Sequence, residues 1–414
     1  MIFYVILRGL DTIEDDTELD NDIKIPLLRS FKSVLDKDDW TFDGVSEKEH
    51  DRIVLVEFDT VLTEFHKLKP EYQKIIANIT HKMGNGMADY ISKESQKNYE
   101  GVETIAAYDL YCHHVAGIVG EGLTQLAVLS GFGEPILDKN PQLYNSMGLF
   151  LQKTNIIRDF REDLDDGRSF WPKEVWSKYA DSLVDFTKPE NEKKALHCVS
   201  DLAVLSLQHV EDCIEYLENI NEPSLFSFCA IPQVMSIATL ELVFNNKDIF
   251  YRNIKIRRGL AAKLILESGN IAGVYRIFKD YTRKIHLRNR PDDPNFLRIE
   301  IICGKIEKFI DEHDPTSALN VAKASRATKR KNEPSEFAIF VAAAAILSVT
   351  CGTMVLIAYL NGARFDLVFA DGLKMVNHLL FNGPMPSSAH ENVVPAVTAT
   401  VASVVESVIP HSDL

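Results

Sequence analysis

Basic residues are in the minority: 45 Lys and Arg stand against 60 Asp and Glu in 414 residues, a formal charge of −15. Nucleic-acid binding relies on a basic face that displaces counterions, so that class is set aside. Cysteine is scarce. The six residues, Cys112, Cys198, Cys213, Cys229, Cys303 and Cys351, are scattered with no CxxC spacing. A disulfide framework and a structural zinc site are excluded on that ground, and a reducing compartment is expected. No GxGxxG follows a strand-like run, and Gly131-Phe-Gly133 is too short a fragment to suggest a dinucleotide fold. The opening MIFYVILRG lacks a basic n-region and does not read as a signal peptide. Strict alternation of apolar and polar residues, the mark of half-buried strands, is also missing.

What is present is helical periodicity in a chain that is 46% hydrophobic, enough to bury a large core. Apolar residues recur three and four apart, as in Leu123, Leu126 and Ala127, or Leu202, Leu205 and Val210. The fold class is therefore all-α. Loops are expected at 17–26, 38–51, 131–142 and 164–173, with a break bracketed by Pro223 and Pro232. From Phe337 to Leu360 no charged residue occurs, a run long enough to cross a bilayer. Lys323, Arg326, Lys329, Arg330 and Lys331 precede it and only Arg364 follows closely, which puts the larger N-terminal part in the cytosol. The expected organisation is a catalytic domain over 1–320, a basic linker at 321–336, a transmembrane helix at 337–360 and a tail of uncertain structure over 361–414.

The chemistry is carried by a repeated acidic cassette. Residues 11–15 and 159–163 both read D-x-x-E-D. On a helix, Asp11, Glu14 and Asp15 share one face, and Asp159, Glu162 and Asp163 repeat the pattern. Like charges at this spacing repel, so a cation should offset them. Mg2+ suits carboxylate oxygen and bridges readily to substrate phosphate. A solvated acidic face is the plainer reading of one such run. Here the two runs match, each follows an apolar helix, and each has an arginine beside it, Arg8 and Arg158. Metal with arginine neutralises a leaving diphosphate, and loss of diphosphate from an apolar chain leaves a carbocation. Such a cation needs a dry wall. Tyr111 to Gly120 supplies small residues, Val115, Ala116, Gly117 and Val119, and a phenol at Tyr111. Tyr111 can exchange a proton or face a cation with its ring, but packing alone also accounts for one half-buried tyrosine. His113 and His114, adjacent in sequence, point to different faces and are read as structural.

At these residues the chain resembles the squalene synthases, within the head-to-head trans-isoprenyl diphosphate synthases. The resemblance lies in FYVILRGLDTIEDD (3–16), YCHHVAGIVG (111–120), SMGLFLQKTNIIRDFRED (146–163), GRSFWPKEVW (167–176), FSFCAIPQVM (226–235) and KIRRG (255–259). It implies an isoprenoid synthase helical bundle around a central cavity, two farnesyl diphosphates as substrate, and Mg2+ and NADPH as cofactors. It further implies that Asp11, Glu14 and Asp15 form one metal face and Asp159, Glu162 and Asp163 the other, with Tyr111 catalytic. By the same likeness Asp159 and Asp163 take part in catalysis, Phe228 shields a cation, and Arg8, Arg158, Lys255 and Arg257 bind NADPH or phosphate. The loop 164–172 would be a lid. A monomer in the endoplasmic reticulum membrane is implied, with the catalytic domain facing the cytosol. Family members carry a longer stretch before the first motif, so the chain is expected to be N-terminally short. The alternatives are a phytoene- or dehydrosqualene-type enzyme without reduction and an inactive membrane-tethered fragment.

Overall fold

The computed structural model describes residues 1–94 and 101–314, together with isolated positions between 345 and 353. The expected span at 337–360 and the tail at 361–414 lie outside the described residues. Backbone proximity groups Met1–Val321 into one compact unit. Among its described residues there is no β-strand, only one isolated antiparallel bridge between Gly133 and Ile220.

The chain begins with α1 (Ile2–Asp15), α2 (Asn21–Val34), the short α3 (Arg52–Val56) and α4 (Phe58–His66), and the long α5 (Pro70–Glu94). Helix α1 is amphipathic: Phe3, Ile6, Leu7, Leu10 and Ile13 are buried, which leaves Arg8, Asp11, Glu14 and Asp15 along the other side. The buried side joins Leu28 and Phe31 of α2, Phe58 and Leu62 of α4, and Ile79, Met83 and Met87 of α5 in one apolar cluster.

The remaining helices are α6 (Ile105–Cys112), α7 (Ile118–Leu129), α8 (Ile136–Lys139), α9 (Pro141–Arg158), α10 (Phe160–Asp165), α11 (Lys173–Trp176), α12 (Glu192–Leu207), α13 (Val210–Glu218), α14 (Pro223–Val243), α15 (Arg258–Glu267), α16 (Ile271–Leu287) and α17 (Phe296–His313). Their apolar faces form a second, larger cluster, in which α9 is the central rod. A π-helical turn, His113–Gly117, links α6 to α7. Among the described residues, only α14 is long and apolar enough to cross a membrane. It is a core helix, with Phe226, Cys229, Val234, Ile237 and Leu240 buried.

Three sequence expectations are corrected. The loop drawn over 17–26 ends at Asp20, whose carboxylate accepts from Asp22 N at 2.9 Å and caps α2, so that Pro26 lies inside the helix. Pro223 does start α14, but Pro232 does not break it. The helix there is held against α9 by Gln233 Nε2, which donates to Met147 O at 2.9 Å, and by Ser236 Oγ, which donates to Phe150 O at 3.4 Å. The glycines of the 116–120 run, Gly117 and Gly120, sit at close contacts and do not open a cavity. A Cβ on Gly120 would fall 2.3 Å from Tyr144 O, and one on Gly148 would fall 2.5 Å from the Ala116 carbonyl.

A polar network not legible in the sequence crosses this core. The Lys153 ammonium, fully buried, lies 2.7 Å from Asp109 of α6 and donates to Leu205 O at 3.2 Å. Its third partner is His209 Nε2 at 2.9 Å. Burial and the nearby Lys153 push the imidazole down to about 3, so it is neutral and accepts from Lys153. The other ring nitrogen, Nδ1, then donates to Ser146 Oγ at 3.0 Å, and Ser146 donates to Asp212 Oδ2 at 2.6 Å.

Candidate active site

Helix α1 carries the first acidic motif to its C-terminal end. Arg8, one turn before it, donates through Nε to Asp51 Oδ2 at 2.6 Å and stands 3.6 Å from Asp11. Lys24 of α2 anchors the far side: its ammonium reaches Glu14 O at 3.1 Å and Asp16 O at 2.5 Å. Asp16 is buried and accepts from Glu18 N and Ser46 N, so it shapes the turn after α1.

The second motif sits where α9 passes into α10. Asp159 is the junction, with φ −90° and ψ 11°, and Arg158 grips it with two hydrogen bonds of 2.7 and 2.6 Å. Glu162 accepts from Asn253 Nδ2. The chain then reverses through a Schellman cap. Gly167, at φ +72°, donates to Leu164 O, and Arg168 N donates to Asp163 O at 2.8 Å. That turn aims the Arg168 side chain back across the motif. Beyond it Trp171 ties the loop down by donating Nε1 to Ile156 O at 3.0 Å and packing 4.6 Å from Phe160.

Arg168 brings the two motifs together. Its guanidinium lies 3.8 Å from Asp15, 3.4 Å from Asp163 and 3.2 Å from Asp166. A cleft of about 260 Å³ is lined by Glu14, Asp15, Lys24, Tyr90, Arg168 and Phe170 among others. Two of its lining rings, Tyr90 and Phe170, pack on the buried Tyr111. Tyr111 is 4.4 Å from Tyr90 and 5.1 Å from Phe170, centroid to centroid. Burial, then Glu14, raise the Tyr111 phenol well above its ordinary range, so it stays protonated at neutral pH.

Negative charge at the two motifs, of whose carboxylates Glu14 and Asp15 line the cleft, is under-compensated. Burial first, then Asp15, push Asp11 up to about 7, and burial with Asp15 and Asp11 pushes Glu14 up to about 8. Burial pushes Asp163 up to about 7 despite Arg168, with Asp159, Glu162 and Asp166 adding to the rise. Half of the Asp15 side chain remains in solvent, so water screens part of the repulsion. Carboxylates in this condition fit a hard divalent cation. Among the described residues no three potential ligands cluster tightly enough to form a cage.

A second cavity of about 450 Å³ is lined by Glu241, Arg252, Asn253, Lys255, Arg257 and Leu260 among others. Through Asn253 and Glu162 it adjoins the second motif. Of the four basic residues singled out for cofactor or phosphate, Lys255 and Arg257 line this cavity, while Arg8 and Arg158 are paired to the acidic motifs themselves. Phe228 is 52% exposed on α14 and lines neither cavity. His113 is held by Asn145 at 2.8 Å, in keeping with a structural role. Sequence reasoning missed Arg168, Tyr90 and Phe170. The signal for Arg168 was there, a glycine turn directly after the acidic motif.

The family model for squalene/phytoene synthase matches residues 1–259. The squalene synthase of Yarrowia lipolytica is 52% identical over 369 residues, 88% of this chain and 82% of that protein. The squalene synthase of Saccharomyces cerevisiae is 55% identical over 311 residues, 75% of this chain and 70% of its own length. Among solved structures, TcSQS in complex with the ligand BPH1237 has a TM-score of 0.71 at 40% identity, covering 76% of this chain and 90% of that one. With two acidic motifs meeting on one arginine beside an aromatic-walled cleft, and this degree of likeness over most of its length, the chain belongs to the squalene/phytoene synthase family of prenyltransferases.

Proposed function

We propose that the protein acts as a squalene synthase, joining two farnesyl diphosphates head to head into presqualene diphosphate and reducing that product with NADPH to squalene. The observation that carries this reading is the meeting of Asp15 and Asp163, from motifs far apart in the chain, on one arginine. Mg2+, when bound, supplies the charge that lets diphosphate leave. Asp11, Glu14 and Asp15 would hold it on one side, and Asp159, Glu162 and Asp163 on the other. Arg158 keeps the first carboxylate of the second motif in place, while Arg8, held by Asp51, stands 3.6 Å from the first carboxylate of the other.

As diphosphate departs, the double bond of the second farnesyl chain attacks the allylic cation, and loss of a proton to the departing diphosphate closes the cyclopropane. Tyr111, Tyr90 and Phe170 would face that cation with their rings and exclude water. Because burial keeps the Tyr111 phenol protonated, it can steady the cation and hand a proton on, but it is no free phenolate base. For the second half-reaction NADPH is the hydride donor. Lys255 and Arg257 would bind its phosphates beside the second motif, and Phe228 would turn inward over the second cation. We further propose that 337–360 tethers a monomeric catalytic part to the cytosolic face of the endoplasmic reticulum. The support is an uncharged run preceded by a basic cluster.

The test is product analysis on the full chain in detergent with farnesyl diphosphate and Mg2+. Squalene is expected with NADPH and presqualene diphosphate without it. Dehydrosqualene or a cyclic terpene in the presence of NADPH would overturn the reading.

A further inference from the structure

Arg168 holds an unusual position. The other arginines at the acidic motifs are tightly bound, with Arg158 meeting Asp159 through two bonds of 2.6–2.7 Å and Arg8 meeting Asp51 at 2.6 Å. Arg168 instead spans the two sides at looser distances, 3.8 Å to Asp15 and 3.4 Å to Asp163. Among the described residues its only hydrogen bond to a carboxylate, at 3.2 Å, goes to its own loop neighbour Asp166. Its Nε is buried and has no hydrogen-bond partner among the described residues. The guanidinium is therefore placed by the charge around it and by the Schellman turn at Gly167, not by a saturated set of bonds. A cation held in this way is readily displaced by one of higher charge.

We infer that Arg168 is an internal counter-cation of the cleft, competing with divalent metal for Asp15 and Asp163 and swinging away as metal enters. The inference rests on the metal-binding reading above. It gives the resting enzyme a positive charge between two repelling acidic faces, which keeps them together before substrate and metal arrive. The cost is weakened affinity for metal alone. The loop is pinned by the cap on α10, by Phe170 packed on Tyr111 and Tyr90, and by Trp171 on Ile156 O, so the movement belongs to the Arg168 side chain, 27% exposed, and not to the loop backbone.

The test is Mn2+ binding to the full chain without substrate, read from the electron paramagnetic resonance signal of free Mn2+. Arg168→Gln is expected to bind Mn2+ at least about threefold more tightly than the natural protein, a factor worth roughly 0.6 kcal/mol at RT of about 0.59 kcal/mol. Arg168→Lys, which keeps the charge, should stay close to the natural value. Arg161→Gln removes an arginine paired outside the cleft, to Asp165, and should leave the affinity unchanged. A second arm needs no variant: Mg2+ should speed the modification of Arg168 by phenylglyoxal, measured by mass spectrometry, and leave Arg161 unaffected. Unchanged or weaker Mn2+ binding in Arg168→Gln, or an equal gain in Arg161→Gln, overturns the inference, as does Mg2+ that fails to expose Arg168. If neither protein binds Mn2+ at all, the metal-site reading itself fails.

Discussion

At the scale of single residues, the cleft is governed by carboxylates that prefer their protons. Asp11, Glu14 and Asp163 are pushed up to about 7, 8 and 7. A raised pKa in the folded chain means that the folded state holds more protons than the unfolded one between about pH 4 and 8. Their contribution to stability is thus greatest below pH 4 and is lost as the pH rises through 7 to 8. Metal requires the deprotonated form, so its effect has the opposite sign. Melting curves in EDTA should show this cluster favouring the fold more at pH 6 than at pH 8, while the rise in Tm on adding Mg2+ should be larger at pH 8. An equal Mg2+ effect at both values would contradict the link. Tyr111 makes a different prediction. Tyr111→Phe keeps the ring packed against Tyr90 and Phe170 but removes the hydroxyl, so the fold should be untouched while presqualene diphosphate formation falls by about 10²-fold, as for loss of a proton-transfer group. Near-normal formation in single-turnover assays would assign Tyr111 to packing alone. The acidic motifs were legible as residues because their spacing is their meaning. Tyr90 and Phe170 were not, since an aromatic reveals its partner only after folding.

At the scale of elements, two backbone devices set the site. Gly167 takes a left-handed conformation with open space where a Cβ would go, so its cost on substitution is conformational. Gly167→Ala should lower stability by about 1 kcal/mol, measured by denaturant unfolding, and reduce turnover because Arg168 and Phe170 lose their pose. Gly148 is the reverse case: its φ is ordinary but Ala116 lies against it. Gly148→Ala forces α9 away from the π-turn and should cost about 1–3 kcal/mol. The helical class and the amphipathic α1 followed from periodicity. Pro26 and Pro232 sit inside helices that a linear reading interrupts, because α2 and α14 are held by what they pack against. Likewise Ala116, Gly117 and Gly120 look like the lining of a cavity in a linear string and prove to be contact points between helices. Small side chains serve both purposes, and only the fold says which.

At the scale of the whole molecule, α9 joins the chemistry to the core. It runs from Pro141 to the second acidic motif, and midway it carries Lys153, whose charge is fully buried. Asp109 keeps 38% of its side chain exposed although the Oδ1 that faces Lys153 is buried, so the carboxylate can be partly hydrated when left alone, and Lys153 cannot. Removing the lysine should therefore be the milder change. Lys153→Met is expected to cost about 1–3 kcal/mol. Asp109→Ala, which leaves a buried ammonium without its counter-ion, should cost about 3–5 kcal/mol. Thermal melts that reverse this order would show that the ammonium finds compensation elsewhere. Nothing in the local sequence marks Lys153 as buried, because its partners arrive from α6, α12 and the turn before α13.

The central claim is that two distant acidic motifs form one site for a diphosphate leaving group. It is tested most directly by the rate of Mg2+-dependent presqualene diphosphate formation in Asp11→Asn and Asp163→Asn, each checked for a folded helical spectrum. The account predicts that each substitution, one from each motif, abolishes turnover while leaving the fold at least as stable, since both relieve repulsion. Near-natural turnover in either variant would contradict it.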